Sequence, residues 1–431
     1  MACPLERSPK CGFELTEVGP VVRHSHPCPS LHLAVVLQVM DRRRRAHFAC
    51  RVETRISRLG GYSRRMNASA DWQRIRLLRA RQPARVTGER AAVFVAALEQ
   101  SEQLMRAAES VGPAARPLPL FYALSQAGRA VAAAKLVGDW RLAGHGLAAP
   151  PQDGVQDLRR RIVKGDGRAP SAGRSRSFDG VASAVGSDSL AAAVELGAVW
   201  AAMPDLLDPL PQMPAPPPGV MWRRPLRVYP QYPKPDQPLG AKLVVVVGGL
   251  AESLDADGIA AELGHYALGA PFDVLTLETA NLIGNARPFS PFEPGVVVTP
   301  CGMFIIASGG PKAPLCGFSP NGEKLPAIVF PNMLLMPGNP SPIIVDQAVP
   351  PYRDKSDRLI RPRIGAKDDL VSPLMLWWLL LFGLSTIARY DPELWVGALD
   401  VNSSEQAVPI EAALDEALEA LPELILEALT A

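Results

Sequence analysis

The sequence predicts an α+β fold: a discontinuous helical bundle, assembled from both ends of the chain, with an inserted strand-rich segment. Three observations lead there. The stretch Leu120-Phe-Tyr-Ala-Leu-Ser-Gln-Ala-Gly-Arg129-Ala130 is echoed by Leu380-Leu-Phe-Gly-Leu-Ser-Thr-Ile-Ala-Arg389-Tyr390. Each reads as a buried helix whose serine and arginine, four positions apart, share one face. Between the two echoes the hydrophobic period changes at a proline-rich connector, beyond which β-branched runs bounded by glycine replace helical spacing. Helical spacing returns after Pro350-Pro351. If the two similarly buried helices share one core, residues 66–210 and 351–431 form one helical unit, 211–221 the connector and 222–350 the insertion.

A chain of 431 residues can bury a large core, and 48% hydrophobic with 20% charged residues is ordinary for a globular protein. A net charge of +2 gives no general reason to expect nucleic acid or a membrane surface as partner. The six cysteines, Cys3, Cys11, Cys28, Cys50, Cys301 and Cys316, form no C-x-x-C pair, so a reducing cytoplasm is the default. The longest apolar run, Leu374 to Ala388, falls short of the ~20 residues of a bilayer-spanning helix and suits a buried core helix.

Residues 1–65 differ from the rest. They hold four of the cysteines, the histidines His24, His26, His32 and His47, and the run Arg42 to Arg45. No secretory pattern fits. Cys11, His24, His26 and Cys28 invite a zinc reading, but the usual paired ligand spacing is absent, and no metal or cofactor is expected. The basic run suits a solvated arm better than a nucleic-acid contact. Normal globular patterning starts at Met66-Asn-Ala-Ser-Ala-Asp-Trp72, so 1–65 reads as an extension from an upstream start codon.

The elements follow in order. An amphipathic turn or two over Trp72–Arg81 precedes Pro83. Thr87-Gly88-Glu89-Arg90 offers a cap to a helix running to Ser110, ended by Gly112-Pro113. Pro117 suits the first turn of the next helix, which carries the first echo to about Val137. Gly144-His145-Gly146 is a tight loop; 148–180 is polar and loop-like; Ser187–Met203 reads as a helix. Strands are expected at Lys242–Val247, Val296–Thr299, Met303–Ala307, Ile328–Leu335 and Ile343–Val345, in an antiparallel or mixed sheet, with a short helix from Asp257 to Leu268. Gly248-Gly249 lacks a phosphate-loop pattern. Asp368-Asp369 can cap a helix that runs to Tyr390, apolar all round and hence central. A final helix spans about Ile410–Leu429, kinked or divided by Pro422.

Each echoed helix carries an arginine that is always charged and needs a partner when buried. Structural ion pairs with Glu99, Glu102, Asp139 or Asp391 would satisfy them. Alternatively Arg129 and Arg389 form a joint anion site, with hydroxyls from Tyr122 and Tyr390 and a third charge from Arg116. His145, between glycines, is either a general base or ligand, or a residue that ties its loop to a neighbouring carbonyl. Ser125 and Ser385 should bond back to a carbonyl one turn earlier.

The combination Arg116-Pro-Leu-Pro-Leu-Phe-Tyr122, Leu124-Ser-Gln-Ala-Gly-Arg129-Ala, His145-Gly146, Leu384-Ser-Thr-Ile-Ala-Arg389-Tyr390 and Trp395 resembles the YaaC-like family of bacteria, from about Trp72 to the carboxy terminus. The resemblance implies a bacterial cytoplasmic protein and little chemistry. The helical part also resembles HEPN-type domains, many of them ribonucleases; Arg141 and His145, with three residues between them, depart from the arginine–histidine spacing of that group. The function expected is that of a non-catalytic or regulatory protein binding a protein partner or an anionic, phosphate-bearing ligand. The alternative is an enzyme acting on a phosphate-bearing substrate or RNA through Arg129, Arg389 and His145.

Overall fold

A first helix, α1, covers 68–80, and Glu89–Ser110 (α2) and Pro117–Lys135 (α3) follow as an antiparallel pair. This structure, a computed structural model, describes residues 68–431 apart from 153, 170–172, 208–209, 232–240, 281–286, 289–295, 300–301, 307–312, 336–341, 350 and 353. The expectations for 1–65 and its cysteines and histidines therefore lie outside the described residues. Helix α2 starts on Gly88 without a side-chain cap, and its carboxyl end is closed from afar by Arg116, which donates to the Ala108 and Val111 carbonyls. Arg90 does the same for α3, donating to Ala133 and Leu136. A cation at the last carbonyls of a helix also answers its dipole.

Residues 148–180, expected to be loop, contain short ordered pieces. Arg141–Ala143 (β1) pairs in parallel with Arg174–Arg176 (β4), and Leu147–Ala148 (β2), Ile162–Gly165 (β3) and Val194–Glu195 (β5) make a small antiparallel sheet. Ser177–Ala184 is helix α4. The helix expected over Ser187–Met203 shrinks to Leu196–Ala201 (α5). The alanine-rich start has better partners than its own turn: the Asp188 and Ala191 amides donate to Leu370 and Asp369, while Asp188 and Ser187 accept from the Leu370 and Ser372 amides. Tertiary hydrogen bonds here override helix propensity.

After an irregular proline-rich stretch comes a ten-stranded sheet. Its long neighbours are Leu226–Gln231 (β6), Ala241–Gly248 (β7) and Lys324–Leu335 (β8), all antiparallel. Beyond β8 the order runs outward through Leu315–Phe318, Gly302–Ile306, Val296–Thr299 and Arg287–Pro288; beyond β6 it runs through Asp354–Ile360 and Pro351–Tyr352, and the tenth strand, Asp273–Val274, also pairs with β8. The run Leu243 to Val247 is unbroken because both faces of β7 are covered. Leu243, Val245 and Val247 lie under Ala256–Leu263 (α6) and Pro342–Ala348 (α7), whereas Val244 and Val246 pack with Phe304 and Leu315. Helix α7 corrects the strand expected at Ile343–Val345. Pro342 opens the helix, and Val345, Ala348 and Val349, at helical spacing, are buried while Ile343 is exposed. The helix expected to run to Leu268 stops at Leu263.

Pro373–Tyr390 (α8), Pro392–Ala398 (α9) and Ala407–Thr430 (α10) complete the chain. Helix α8 begins five residues later than Asp368-Asp369 suggested, because a residue before proline is held extended: Ser372 has ψ 157°. Asp368 instead turns with φ 53°. Pro422 does not divide α10, which is continuous through it.

The echoed helices α3 and α8 pack on one another. Gly128 makes this contact feasible: a β-carbon there would stand 2.5 Å from the Trp378 ring and 2.9 Å from Val181. One core cluster draws residues from Trp72–Met213 and Ile364–Leu429, whereas the sheet's two clusters hold only residues between Leu226 and Ile360. The architecture is thus mixed α+β, with helices from both ends of the chain and a strand region inserted between them. Helix α8 is long and apolar enough by composition to cross a membrane, yet most of it is buried inside the protein.

Candidate functional site

Phe121 from α3 and Phe382 from α8 meet with ring centroids 5.5 Å apart, and the His145 imidazole rests on both, 5.5 Å from the first and 5.9 Å from the second. The echo therefore supplies an aromatic floor, one ring per helix. The loop that carries the histidine is fastened at three consecutive carbonyls. The Ser177 hydroxyl donates to Gly144, the Phe178 amide to His145 and the Asp166 amide to Gly146. Gly144 and Gly146 have φ of 61° and 78°, a region that side chains with a β-carbon rarely adopt, so the histidine stands between the only two residues that can make this turn cheaply. The expected bond from His145 to a neighbouring carbonyl does not occur among the described residues; the loop is tied instead through its own backbone carbonyls.

Three arginines bear on the ring electrostatically. Burial first, and then the positive fields of Arg389, Arg129 and Arg176, hold the His145 pKa below its ordinary value. Arg389 donates to the Tyr122 hydroxyl at 3.2 Å, and its guanidinium lies 4.4 Å from the centre of the Tyr390 ring. Arg129 is half-buried and makes one long contact, 3.5 Å, with the Leu142 carbonyl. Arg176 is ion-paired with Asp166 and its guanidinium covers Gly144.

Among the described residues no carboxylate pairs with Arg129 or Arg389. The acids that might have neutralised them are held elsewhere: Glu99 pairs with Arg79, and Asp391 with Arg161. Glu102 sits among Arg76, Arg79 and Arg106. Burial pushes the Glu102 carboxyl up, but the Arg76 hydrogen bond and the three positive fields outweigh it and keep the group ionised. Ser385 bonds back to the Phe382 carbonyl at 3.0 Å, as expected of a mid-helix serine.

The structure thus brings together Tyr122, Arg129, His145, Arg389 and Tyr390. Arg116 is placed apart from them, paired with Asp415 and capping α2, since the open carbonyls at a helix end are a ready partner for a guanidinium. Arg141 pairs with Glu89 and stacks on Trp140, 5.0 Å from the ring centre. Sequence reasoning missed Arg176, whose Gly-Arg-Ser-Arg setting looked like solvated loop. It missed the two phenylalanines as well, although their place in the echo was a signal. Cys316 is buried in the sheet, where burial pushes its thiol up; Cys301 lies outside the described residues. No group of three or more His, Cys, Asp or Glu that could hold a metal occurs among the described residues.

The His145 surroundings carry a pH prediction. The groups facing it are Arg389 from α8, Arg129 from α3 and Arg176, with its counter-charge Asp166, from β4. Because the folded imidazole takes up a proton less readily than the unfolded one, the unfolded chain binds more protons below the ordinary histidine value of about 6.5, and stability falls as pH drops through it. NMR titration should give His145 a pKa below that value, and Arg389→Gln should raise it. An unshifted His145, or no response to the substitution, contradicts the arrangement.

No curated protein and no solved structure matches the chain, and the HEPN likeness gains no support. A family model described as YaaC-like Protein matches residues 65–168 and 346–429, so the chain is similar to that family over both echoed helices and the His145 loop.

Proposed function

We propose that the protein binds a phosphate-bearing small anion beside His145, where the two echoed helices meet, as a ligand-binding or regulatory protein. The observation that carries this is that Arg129 and Arg389 both bear on the His145 imidazole, with no carboxylate among the described residues to neutralise them. Guanidiniums held by packed helices are suited to a phosphate, since they present paired N–H donors at fixed positions. Tyr122 fixes the Arg389 side chain, and the aromatic floor excludes water from one side of the anion, which strengthens each charge-assisted bond. Isothermal titration with methyl phosphate tests it. Arg129→Gln and Arg389→Gln should each weaken binding about 10- to 100-fold, the worth of one charge-assisted hydrogen bond. Arg116→Gln should leave it unchanged. No binding to the parent protein, or equal binding to the folded variants, refutes the proposal.

A catalytic reading on a phosphate-bearing substrate or RNA rests on the neutral imidazole, which can accept a proton beside two arginines that would hold the phosphate. It requires turnover of a phosphate ester or RNA that His145→Gln abolishes without weakening methyl phosphate binding.

A further inference from the structure

Helix α8 has a second flank beside the one that meets His145. There a cavity of about 320 Å³ opens, walled by Pro150, Val163, Leu196, Gly383, Ile387 and Tyr390. Three features join it to the anion site. Tyr390 forms part of its wall and also lies beneath the Arg389 guanidinium. Ala149 and Pro150, on its other side, directly follow the His145 loop and β2. Thr386, also in its lining, stands one helical turn beyond Phe382, on which the imidazole rests.

The chemistry of the cavity differs from that of the site beside it. Its one described cation, Arg161, is neutralised by Asp391 and donates to the Gln152 carbonyl. The Gln152 side chain is spent on backbone: its amide donates to Pro150 and Ile162 carbonyls, and its oxygen accepts from the Ile162 amide. What remains on the walls is aliphatic, proline and aromatic surface, with a backbone-close approach at Gly383. An apolar group is the occupant such a wall favours, while the unneutralised charge lies next door.

We infer that the ligand is a phosphomonoester with an apolar body, its phosphate on Arg129 and Arg389 and its body in the cavity beside Tyr390. This rests on the anion reading above and adds the class of ligand. Isothermal titration of the full chain with methyl phosphate and phenyl phosphate tests it, because the two share a head group and differ in apolar surface. Phenyl phosphate should bind about tenfold more tightly, the return expected on burying one face of a small ring. Thr386→Trp, which fills the cavity from α8, should erase that advantage and leave methyl phosphate binding unchanged. Ala149→Phe, which fills it from the opposite wall, should do the same, so a misfolded helix variant does not decide the matter. If methyl phosphate binds through Arg129 but phenyl phosphate binds no better, the cavity is not part of the site and this inference falls while the anion reading stands. An advantage that survives both fillings also overturns it. If neither phosphate binds, both readings fall together.

Discussion

Gly128→Ala is expected to destabilise the protein by about 1 kcal/mol net, against the direction that helix propensity alone dictates. In an open helix, replacing glycine with alanine gains roughly 1 kcal/mol. At Gly128 the added carbon would stand 2.5 Å from a Trp378 ring that is fully buried and has no room to retreat. Overpacking of this kind costs about 1–3 kcal/mol, and here it must also cancel the propensity gain. Gly397 provides the matching control. It lies in α9, and a β-carbon there would meet nothing within 4 Å, so Gly397→Ala should be neutral or slightly stabilising. Denaturant unfolding of the two variants measures the contrast. A Gly128→Ala protein as stable as the Gly397→Ala one would mean that α3 and α8 do not touch as described.

Asp205→Ala should cost about 3 kcal/mol. Asp205 is buried in the short turn Pro204–Leu206 and accepts from two aromatic donors at 2.8 Å each: the Trp377 indole of α8 and the Tyr352 hydroxyl of the sheet's edge hairpin. Removing the carboxylate leaves an indole N–H without a partner in the core, and hydrogen bonds to a charged group are worth about 1.5–3 kcal/mol. Asp205→Asn, which keeps one acceptor oxygen, should cost about half as much. A double-mutant cycle with Trp377→Phe isolates the bond, and neighbours in one network typically couple by about 0.5–3 kcal/mol. Additive single effects would show that the indole bond contributes nothing.

The helical half was largely legible in the sequence because its signals are local. Pro117 and Pro373 sit where helices begin, Gly112 and Pro392 sit where they end, and the Leu-Ser-x-x-x-Arg echo marks two rods of the same kind. The unbroken Val244 to Val247 run likewise announced a strand, and the structure adds that both of its faces are covered. What sequence could not show was set by distant partners. Leu190-Ala-Ala-Ala has the composition of a helix, but Asp369, nearly two hundred positions away, takes the Ala191 amide, and Leu370 takes that of Asp188 just before the run. Ile343–Val345 has the composition of a strand, yet its neighbours Ala348 and Val349 complete a helical stripe over the sheet. The candidate site shows the same division. Arg129, Arg389 and His145 were legible as residues of interest, being charged or titratable groups in apolar or glycine-bounded settings. That Arg116 belongs to the end of α2, and that Arg176 reaches Gly144, depends on packing that no local pattern encodes.

The placement of α3 has a consequence for how the chain is made. That helix packs on its neighbours α2 and α4, but also on α8, which begins roughly 240 residues further on, and on α10. At about 5–20 residues per second, a ribosome needs roughly 12 to 50 s to make the chain between α3 and α8. The amino-terminal helices therefore emerge well before their carboxy-terminal partners, and docking of the two ends has to follow synthesis of the whole strand-rich insertion.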